Sequence, residues 1–424
     1  VKKTPPPNSD ASPVRLGIIG AGGAMATFHE SYLADVPGLT YAATAGRRKE
    51  AVQASVDAHG CAGFDSAEQL IDSGTVDAIL IATPHTTHPA FAERAFERGL
   101  HVLVEKPLAV TAQEAQGTVD AYETARKQHP HLVFAGMFQQ RTFPQWRHVK
   151  RLCSDGSVGD LLRVSWTITD WFRTQTYFDA GGWRATWKGE GGGVLLNQCP
   201  HNLDLLCWFV GQPSRVSAIT ELGKHHHVEV EDDVTALLQW PAQTDGTCGA
   251  TGTFITSTGQ TPGINRLEIV GNHGTVIAEK KPGESEHAVT YYRALEPVRD
   301  FTANCPERFA EVPVDTFITP PRVGPAKDKR PPHQLIMENF VEAIQHGTGQ
   351  DELLTPAPEG LLGLELGNAL LLSGLDQTPI DLPMPATGER SRAQYAERIQ
   401  HLANTSTFVR NAVKASNADM SASF

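Results

Sequence analysis

Apolar runs alternate with amphipathic stretches over the first third of the chain. The runs predicted to form strands are residues 14–19, 40–44, 78–82, 101–104 and 132–136. The stretches between them have helical periodicity, at residues 24–34, 49–58, 89–98 and 112–127. Strands that alternate with helices predict βαβ units and a parallel sheet.

The pattern changes after about residue 141, where apolar and polar residues alternate singly. This period of two recurs at residues 162–169, 215–221, 234–240, 249–255, 266–270, 276–279 and 288–292. It predicts a large, mostly antiparallel open sheet with one face buried. Helical patterns follow at residues 334–345, 360–372 and 392–402. The segment 296–332 contains eight prolines and is predicted to be a long irregular loop or arm.

A chain of 424 residues is too long for one ordinary core. We therefore predict an α/β domain over residues 13–140 and an α+β domain over residues 141–424. The α+β domain would bind substrate and carry the oligomer contacts. Residues 1–12, with three prolines and no apolar core, are predicted to be a disordered tail.

Composition narrows the classes of partner. Hydrophobic residues at 40% and charged residues at 20% are typical of a globular protein. A net charge of −12 argues against nucleic-acid binding, and the chain has no apolar run near the roughly 20 residues that a membrane span needs. The six cysteines are scattered without a C-x-x-C motif, which favours thiols in a reducing compartment and hence a cytoplasmic location.

A glycine cluster lies between the first predicted strand and the first predicted helix. Glycines at that point allow a tight turn and let backbone N–H groups approach the pyrophosphate of a dinucleotide. The sequence therefore predicts a Rossmann domain. Its first cofactor-binding residues are Gly20, Gly22, Gly23, Ala24 and Met25.

The end of the second predicted strand carries Gly46, Arg47 and Arg48. An acid there would bind a ribose 2′-hydroxyl, whereas guanidinium groups suit a 2′-phosphate. This favours NADP slightly over NAD. The alternative is that the arginines form only an exposed helix start.

Two further motifs follow buried strands, Thr83-Pro84 with His88, and Glu105-Lys106-Pro107. Open α/β sheets bind their ligands at the carboxyl ends of strands. We therefore assign Thr83, Pro84, His88, Glu105 and Lys106 to the cofactor site. For Lys106 the alternative is a surface lysine at the sheet edge.

From about residue 14 to residue 402 the chain resembles the glucose–fructose oxidoreductase, inositol dehydrogenase and MocA family (Gfo/Idh/MocA). The resemblance rests on the glycine turn, on the run ATPHTTHPAFAERAFERGLHVLVEKPLA and on GGGVLLNQCPH, in that order. It implies that Lys106 reaches the nicotinamide and the reacting hydroxyl. An ammonium there would stabilise a developing alkoxide.

The resemblance also implies that His201 is the general acid/base, since it occupies the family's histidine position. A histidine pKa near 6.5 suits proton exchange at neutral pH. The family's aspartate, four residues earlier, is Asn197 here, and an amide orients a hydroxyl without titrating. We expect Asn197→Asp to add an acidic limb to the pH profile. The alternative for His201 is a buried structural histidine.

Residues 171–187 hold six of the chain's 31 aromatic residues, mixed with charges and glycines. Aromatic faces beside hydrogen-bonding groups suit a sugar, although they could instead cover the edge of a core. The predicted substrate-binding residues, besides Asn197 and His201, are Gln139, Arg141, Trp171, Tyr177, Trp183, Arg184 and Trp187. The run His225-His226-His227 is interpreted as a solvated loop, and we predict no metal site.

These features predict an NAD(P)-dependent oxidation of a secondary hydroxyl of a sugar, polyol or glycoside. Two alternatives stay open within enzymes, a tightly cofactor-bound sugar–sugar oxidoreductase and a redox-assisted glycosidic-bond lyase. A non-catalytic dinucleotide-binding sensor is a third. The amphipathic second sheet predicts a homodimer or homotetramer.

Overall fold

The described part of the chain, in a computed structural model, comprises residues 12–180, 182–242, 248–321, 330–347 and 349–409. The predicted tail lies outside these ranges, except for Ser12. The described residues form two units. The first holds residues up to 142 together with 330–361, and the second holds residues 143–321 and those from 362 onward.

The first unit is built on a six-stranded parallel sheet. Its strands are β1 (Val14–Ile19), β2 (Leu39–Ala45), β3 (Ala62–Phe64), β4 (Ala78–Ile81), β5 (His101–Val104) and β6 (Phe134–Gly136). They lie in the order β3-β2-β1-β4-β5-β6. This is a Rossmann order, and it reverses between β1 and β4, where such sheets bind ligands. The predicted parallel sheet is confirmed, although β3 was not predicted because its three residues are too few to show a period.

The second unit is built on a nine-stranded sheet. Its strands are β7 (Leu161–Ile168), β8 (Arg215–Leu222), β9 (Glu231–Gln239), β10 (Thr251–Ser257), β11 (Asn265–Gly271), β12 (Gly274–Lys280), β13 (Ala288–Ala294), β14 (Val314–Thr319) and β15 (Ile380–Asp381). The order is β14-β13-β12-β11-β7-β10-β9-β8-β15. Within the described strands, β7 and β10 pair in parallel and the other neighbours pair antiparallel. The predicted mostly antiparallel sheet is confirmed.

Helices complete both units. They are α1 (Ala24–Glu30), α2 (Lys49–His59), α3 (Ala67–Asp72), α4 (His88–Glu97), α5 (Ala112–Arg126), α6 (Pro144–Ser154), α7 (Gln175–Asp179), α8 (Pro200–Val210), α9 (Val298–Asn304), α10 (Pro332–His346), α11 (Ala357–Asp376) and α12 (Arg392–Thr405). Short 3-10 turns occupy Leu33–Asp35, His85–Thr87, Gln139–Thr142 and Gly349–Glu352. Among the described helices, none is both long and apolar enough to cross a membrane.

Helix α10 belongs to the first unit, although it follows strands β7 to β14 of the second sheet in the chain. Its apolar residues Ile336, Met337 and Phe340 share one buried core with Leu16 and Ile18 of β1. The prediction placed residues 141–424 in a single domain and did not include the packing of α10 in the first unit. An amphipathic pattern shows which face of a helix is apolar, but not which sheet covers that face.

The segment 296–332 was predicted to be irregular, and this is wrong for part of it. Helix α9 and strand β14 both lie within it. Pro297 caps α9 and Pro313 immediately precedes β14, so these prolines flank regular elements and do not interrupt them. Residues 322–329 lie outside the described ranges.

Strands β8 and β9 present apolar side chains to solvent in the isolated chain. Ile219 is 65% exposed and Leu237 is 61% exposed. Large apolar side chains at this level of exposure are compatible with a further contact surface. The homodimer or homotetramer stays a prediction, as does the cytoplasmic location.

Candidate active site

The glycine turn after β1 has a geometry that side chains would obstruct. Gly20 and Gly22 have φ of 127° and 72°, in a region that L-residues rarely adopt. A Cβ on Gly20 would lie 2.5 Å from the Ala82 carbonyl oxygen, and one on Gly22 would lie 2.5 Å from the Ala51 Cβ. The turn thus keeps its backbone accessible at the switch point of the sheet, and it fits a dinucleotide pyrophosphate.

The end of β2 lies against the same glycine turn. A Cβ on Gly46 would lie 2.9 Å from the Ala21 Cβ, and the exposed Arg48 guanidinium donates to the Gly22 carbonyl. Gly46 and Arg48 are therefore brought to the glycine turn. Arg47 is exposed beside them. A preference for the phosphorylated dinucleotide stays a prediction.

His88 connects the two motifs that follow β4 and β5. Its side chain is fully buried, with Nδ1 2.9 Å from the Pro107 carbonyl oxygen and Nε2 2.8 Å from the Thr83 carbonyl oxygen. Carbonyl oxygens only accept, so both bonds form only when both ring nitrogens carry protons. Burial outweighs the two carbonyls and Glu105 and lowers the pKa of His88 overall, which favours a neutral ring that donates to one carbonyl at a time. We therefore interpret His88 as joining two loops and not as touching the cofactor.

Glu105 is held in a buried hydrogen-bonded chain. One carboxylate oxygen lies 2.7 Å from Nε2 of His29, whose Nδ1 bonds the Tyr32 hydroxyl. The other oxygen accepts the Lys106 backbone N–H at 3.2 Å. Burial raises the pKa of Glu105, but the hydrogen bond and charge of His29 outweigh it and hold the pKa below its usual value. The ionised Glu105 thus fixes the backbone that carries Lys106.

The predicted substrate residues divide into buried and partly exposed groups. Arg141 is buried and forms an ion pair with Glu359, beside Gln139 in the same 3-10 turn. Trp187 is only 5% exposed and packs in the core of the second unit. Arg141 and Trp187 are thus buried side chains with packing roles, whereas Gln139 is partly exposed and its contact with substrate stays a prediction.

The remaining aromatic residues of the segment 171–187 alternate with cations. Arg173 lies over the Trp171 and Tyr177 rings at 5.6 and 5.1 Å. Arg184 lies over the Tyr177 and Trp183 rings at 5.1 and 4.8 Å. The segment therefore forms a cation–π stack around α7, in which both guanidinium groups are held by aromatic rings.

The GGG loop, residues 191–199, carries Asn197 and leads into α8, which carries the proposed base His201. Asn197 is partly exposed just before α8, and His201, 6% exposed, lies in the helix's first turn. The loop is tied to β9, since the Val194 N–H donates to the Glu231 carbonyl oxygen at 2.9 Å. The second unit therefore places Asn197 and His201 on one short, tethered segment.

Two buried carboxylates support this loop, and neither was predicted from the sequence. Glu190 is 1% exposed and accepts from the Asn197 side-chain amide. Glu231 accepts the N–H groups of Gly193 at 2.9 Å and Leu195 at 3.1 Å. Burial raises the pKa of Glu231 to about 7, and the nearby Glu190 adds to the shift. The position of Glu190 directly before the three glycines was the available signal.

The interpretation of residues 225–227 as a solvated loop is wrong for His226. This side chain is 7% exposed and lies 2.9 Å from buried Asp232. Its other ring nitrogen lies 2.9 Å from the Arg173 carbonyl oxygen, so it ties the loop to the aromatic segment. Burial lowers the pKa of His226, but Asp232 outweighs it and raises the pKa overall. Within the described ranges, no cluster of three or more His, Cys, Asp or Glu side chains is suited to a metal ion.

The strand order of the first sheet and the glycine turn define a dinucleotide-binding Rossmann protein with an appended α+β unit. The model of the oxidoreductase family with an NAD-binding Rossmann fold matches residues 14–132. The model of the GFO/IDH/MocA C-terminal domain matches residues 146–277. The chain therefore belongs to the Gfo/Idh/MocA oxidoreductase family.

Three relatives illustrate the range of the family. The rhizopine catabolism protein MocA of Rhizobium meliloti is 31% identical over 47% of this chain and 57% of its own length. An inositol 2-dehydrogenase of Rubrobacter xylanophilus is 28% identical over 63% of this chain and 72% of its own length. The WlbA dehydrogenase of Bordetella pertussis, solved with NADH and UDP-GlcNAcA, is 26% identical, with a TM-score of 0.68 over 88% of this chain and 100% of its own.

Coverage differs between the sequence and structure matches. The chain spans 53% to 63% of the length of several curated relatives, MocA among them. The sequence similarity thus covers only part of those proteins, while the fold similarity to WlbA covers that whole chain.

Proposed function

We propose that this protein is a nicotinamide-dependent dehydrogenase that oxidises a secondary hydroxyl of a sugar, polyol or glycoside. The observation that carries the proposal is the buried His29–Glu105 pair, which fixes the Lys106 backbone directly after β5. Ligands of open α/β sheets bind at the carboxyl ends of strands. The inositol 2-dehydrogenase and WlbA similarities support a carbohydrate-like substrate.

In the proposed reaction, His201 takes the proton from the substrate hydroxyl. The Lys106 ammonium stabilises the negative charge that develops on the same oxygen. Asn197 orients the hydroxyl and does not titrate. A dinucleotide whose pyrophosphate is held at Gly20, Gly22 and Gly23 would supply the nicotinamide that accepts the hydride from the carbon bearing the hydroxyl.

The direct test is an absorbance assay for NAD(P)H formation on a panel of sugars and polyols. Gly22→Leu is expected to lose turnover and to weaken dinucleotide binding at least about 100-fold, because its side chain would meet Ala51 and Arg48. Gly74→Leu is the matched control, since Gly74 also has a positive φ of 70° but no atom within 4 Å of a built Cβ.

Unchanged dinucleotide affinity in Gly22→Leu would contradict the proposed cofactor site. A wild-type protein that binds the dinucleotide but oxidises no member of the panel would favour the non-catalytic sensor.

Within this function we propose that NADP binds more tightly than NAD. Arg47→Ala is expected to weaken NADP binding about tenfold to a hundredfold, the value of one charge-assisted hydrogen bond. The affinity for NAD should stay within about twofold. Titration calorimetry with both dinucleotides measures this, and Lys49→Ala, an exposed cation two residues on, is the control. Tighter wild-type binding of NAD than of NADP would show that the arginines do not select the cofactor.

A further inference from the structure

Glu190 is a buried carboxylate that the proposed reaction does not use. Its Oε2 accepts the Ala185 backbone N–H at 2.6 Å, and its Oε1 accepts from Nδ2 of Asn197. The side chain is 1% exposed, whereas Asn197 is partly exposed. A buried charge is costly unless its hydrogen bonds are satisfied. Glu190 therefore lies on the buried side of Asn197, the residue that the proposed reaction assigns to the substrate.

The hydrogen bond from Asn197 fixes which end of its amide faces Glu190. An ionised carboxylate can only accept, so the amide must turn its NH₂ group toward Glu190. The carbonyl oxygen Oδ1 then points to the other side. An Asn197 held in this way offers an acceptor, as a carboxylate would, without carrying a charge.

We propose that Glu190 is a positioning residue that fixes the Asn197 amide so that its carbonyl oxygen accepts the hydrogen bond of a substrate hydroxyl. The inference rests on the proposed function, because it requires a hydroxylated substrate at Asn197. Glu190 acts through Asn197 and does not touch the substrate.

Replacing the Glu190 carboxylate by an amide should reverse the direction of the hydrogen bond between positions 190 and 197. In Glu190→Gln, the oxygen of the introduced amide is needed by the Ala185 N–H. The NH₂ group of the introduced amide then faces position 197 and is satisfied only if the Asn197 amide turns over. Asn197 would now present donors to the substrate hydroxyl. We expect a loss of about tenfold to a hundredfold in kcat/KM, the cost of one hydrogen bond to substrate.

Replacing the Asn197 amide by a carboxylate places two carboxyl groups in hydrogen-bond contact. Such a pair holds one proton between them, and the second ionisation moves to high pH. Glu231 is a third carboxyl group close enough to interact with Glu190. Asn197→Asp should therefore lose activity and stability as pH rises, which gives an alkaline limb. The acidic limb expected from the sequence alone does not allow for Glu190.

The decisive variant exchanges the two groups. In Glu190→Gln/Asn197→Asp, the introduced amide donates its NH₂ group to the introduced carboxylate, whose second oxygen faces the substrate side. The pair then contains one carboxyl group, as it does in the wild type. We expect kcat/KM to recover at least tenfold above the worse single variant, and the alkaline limb to disappear.

Glu365→Gln supplies a matched control. Glu365 is also 1% exposed in the second unit, but it accepts from Arg392 and the Met384 N–H. Combined with Asn197→Asp it should give no recovery. The four proteins and this control are compared by kcat/KM from pH 6 to pH 9 and by urea unfolding at pH 8 without substrate.

Recovery of both kcat/KM and unfolding midpoint only in the exchanged pair supports the proposal. The proposal is overturned if the kcat/KM of the exchanged pair falls by the product of the two single-variant losses and its pH profile keeps the alkaline limb. If the wild type oxidises no sugar or polyol, the proposed function fails separately. Urea unfolding then tests whether Glu190 fixes the Asn197 amide. Additive losses of the unfolding midpoint in Glu190→Gln/Asn197→Asp would overturn this inference, and recovery of the midpoint would support it.

Discussion

His201→Ala is expected to lower kcat by about 10² to 10⁴ while dinucleotide affinity stays near that of the wild type. The factor is the usual contribution of general acid/base catalysis. His201 lies in the first turn of α8 and is almost buried, so an alanine there leaves the helix intact and removes only the imidazole. Steady-state kinetics on the substrate found in the sugar panel measure kcat, and calorimetry measures the dinucleotide affinity.

His148→Ala is the control for a lost histidine in the same unit. His148 lies on α6 and bonds Arg151, outside the GGG loop. Its kcat should stay within about twofold of the wild type, as is usual for substitutions away from a site. Full turnover by His201→Ala on the true substrate would overturn the assignment of the base.

Gly193→Ala is expected to destabilise the second unit by about 3–5 kcal/mol, the sum of an overpacked site and lost hydrogen bonds. A Cβ on Gly193 would lie 1.9 Å from the Glu231 carbonyl oxygen. The nearest obstructing atoms are the backbone carbonyl oxygen and carbon of Glu231, so rotating a side chain does not relieve the clash. The loop must leave β9, and Glu231 then loses the N–H groups of Gly193 and Leu195. Urea unfolding, or the soluble yield if the variant does not fold, measures the loss.

The neighbouring glycine gives a matched control for this substitution. A Cβ on Gly192 would lie 3.3 Å from the Leu196 Cβ, a contact that a small shift of the loop relieves. The free energy of unfolding of Gly192→Ala should therefore stay within about 1 kcal/mol of the wild-type value. Equal unfolding midpoints for Gly192→Ala and Gly193→Ala would show that the close approach to β9 is not needed.

Long periodic elements could be predicted from the sequence, whereas short or returning ones could not. Strand β4 is a continuous apolar run, and β1 is apolar except for Arg15. Each is followed by a glycine or a polar motif, and such a run indicates a buried parallel strand locally. Strand β3 has three residues, and helix α3 has six. The placement of α10 depended on a sheet more than 180 residues earlier in the chain, which no local pattern reveals.

The candidate site divides in the same way. The glycine turn, Lys106 and His201 belong to motifs whose chemistry can be recognised in a short window. Their supports cannot be recognised in this way, since His29 reaches Glu105 across 76 positions. The carboxylates near Asn197 were not predicted either, because isolated acidic residues are usually exposed and only tertiary packing buries them.

The position of α10 late in the chain has a consequence for how the first unit folds during synthesis. The β1 face that Met337 and Phe340 cover is translated about 300 residues before those two side chains. At about 5–20 residues per second, the ribosome needs about 15–60 s to reach the missing helix. Throughout that interval, the nascent first unit carries an uncovered apolar face on its parallel sheet. A gene fragment that stops near residue 142 would make this transient state permanent, and its product should need a chaperone or aggregate.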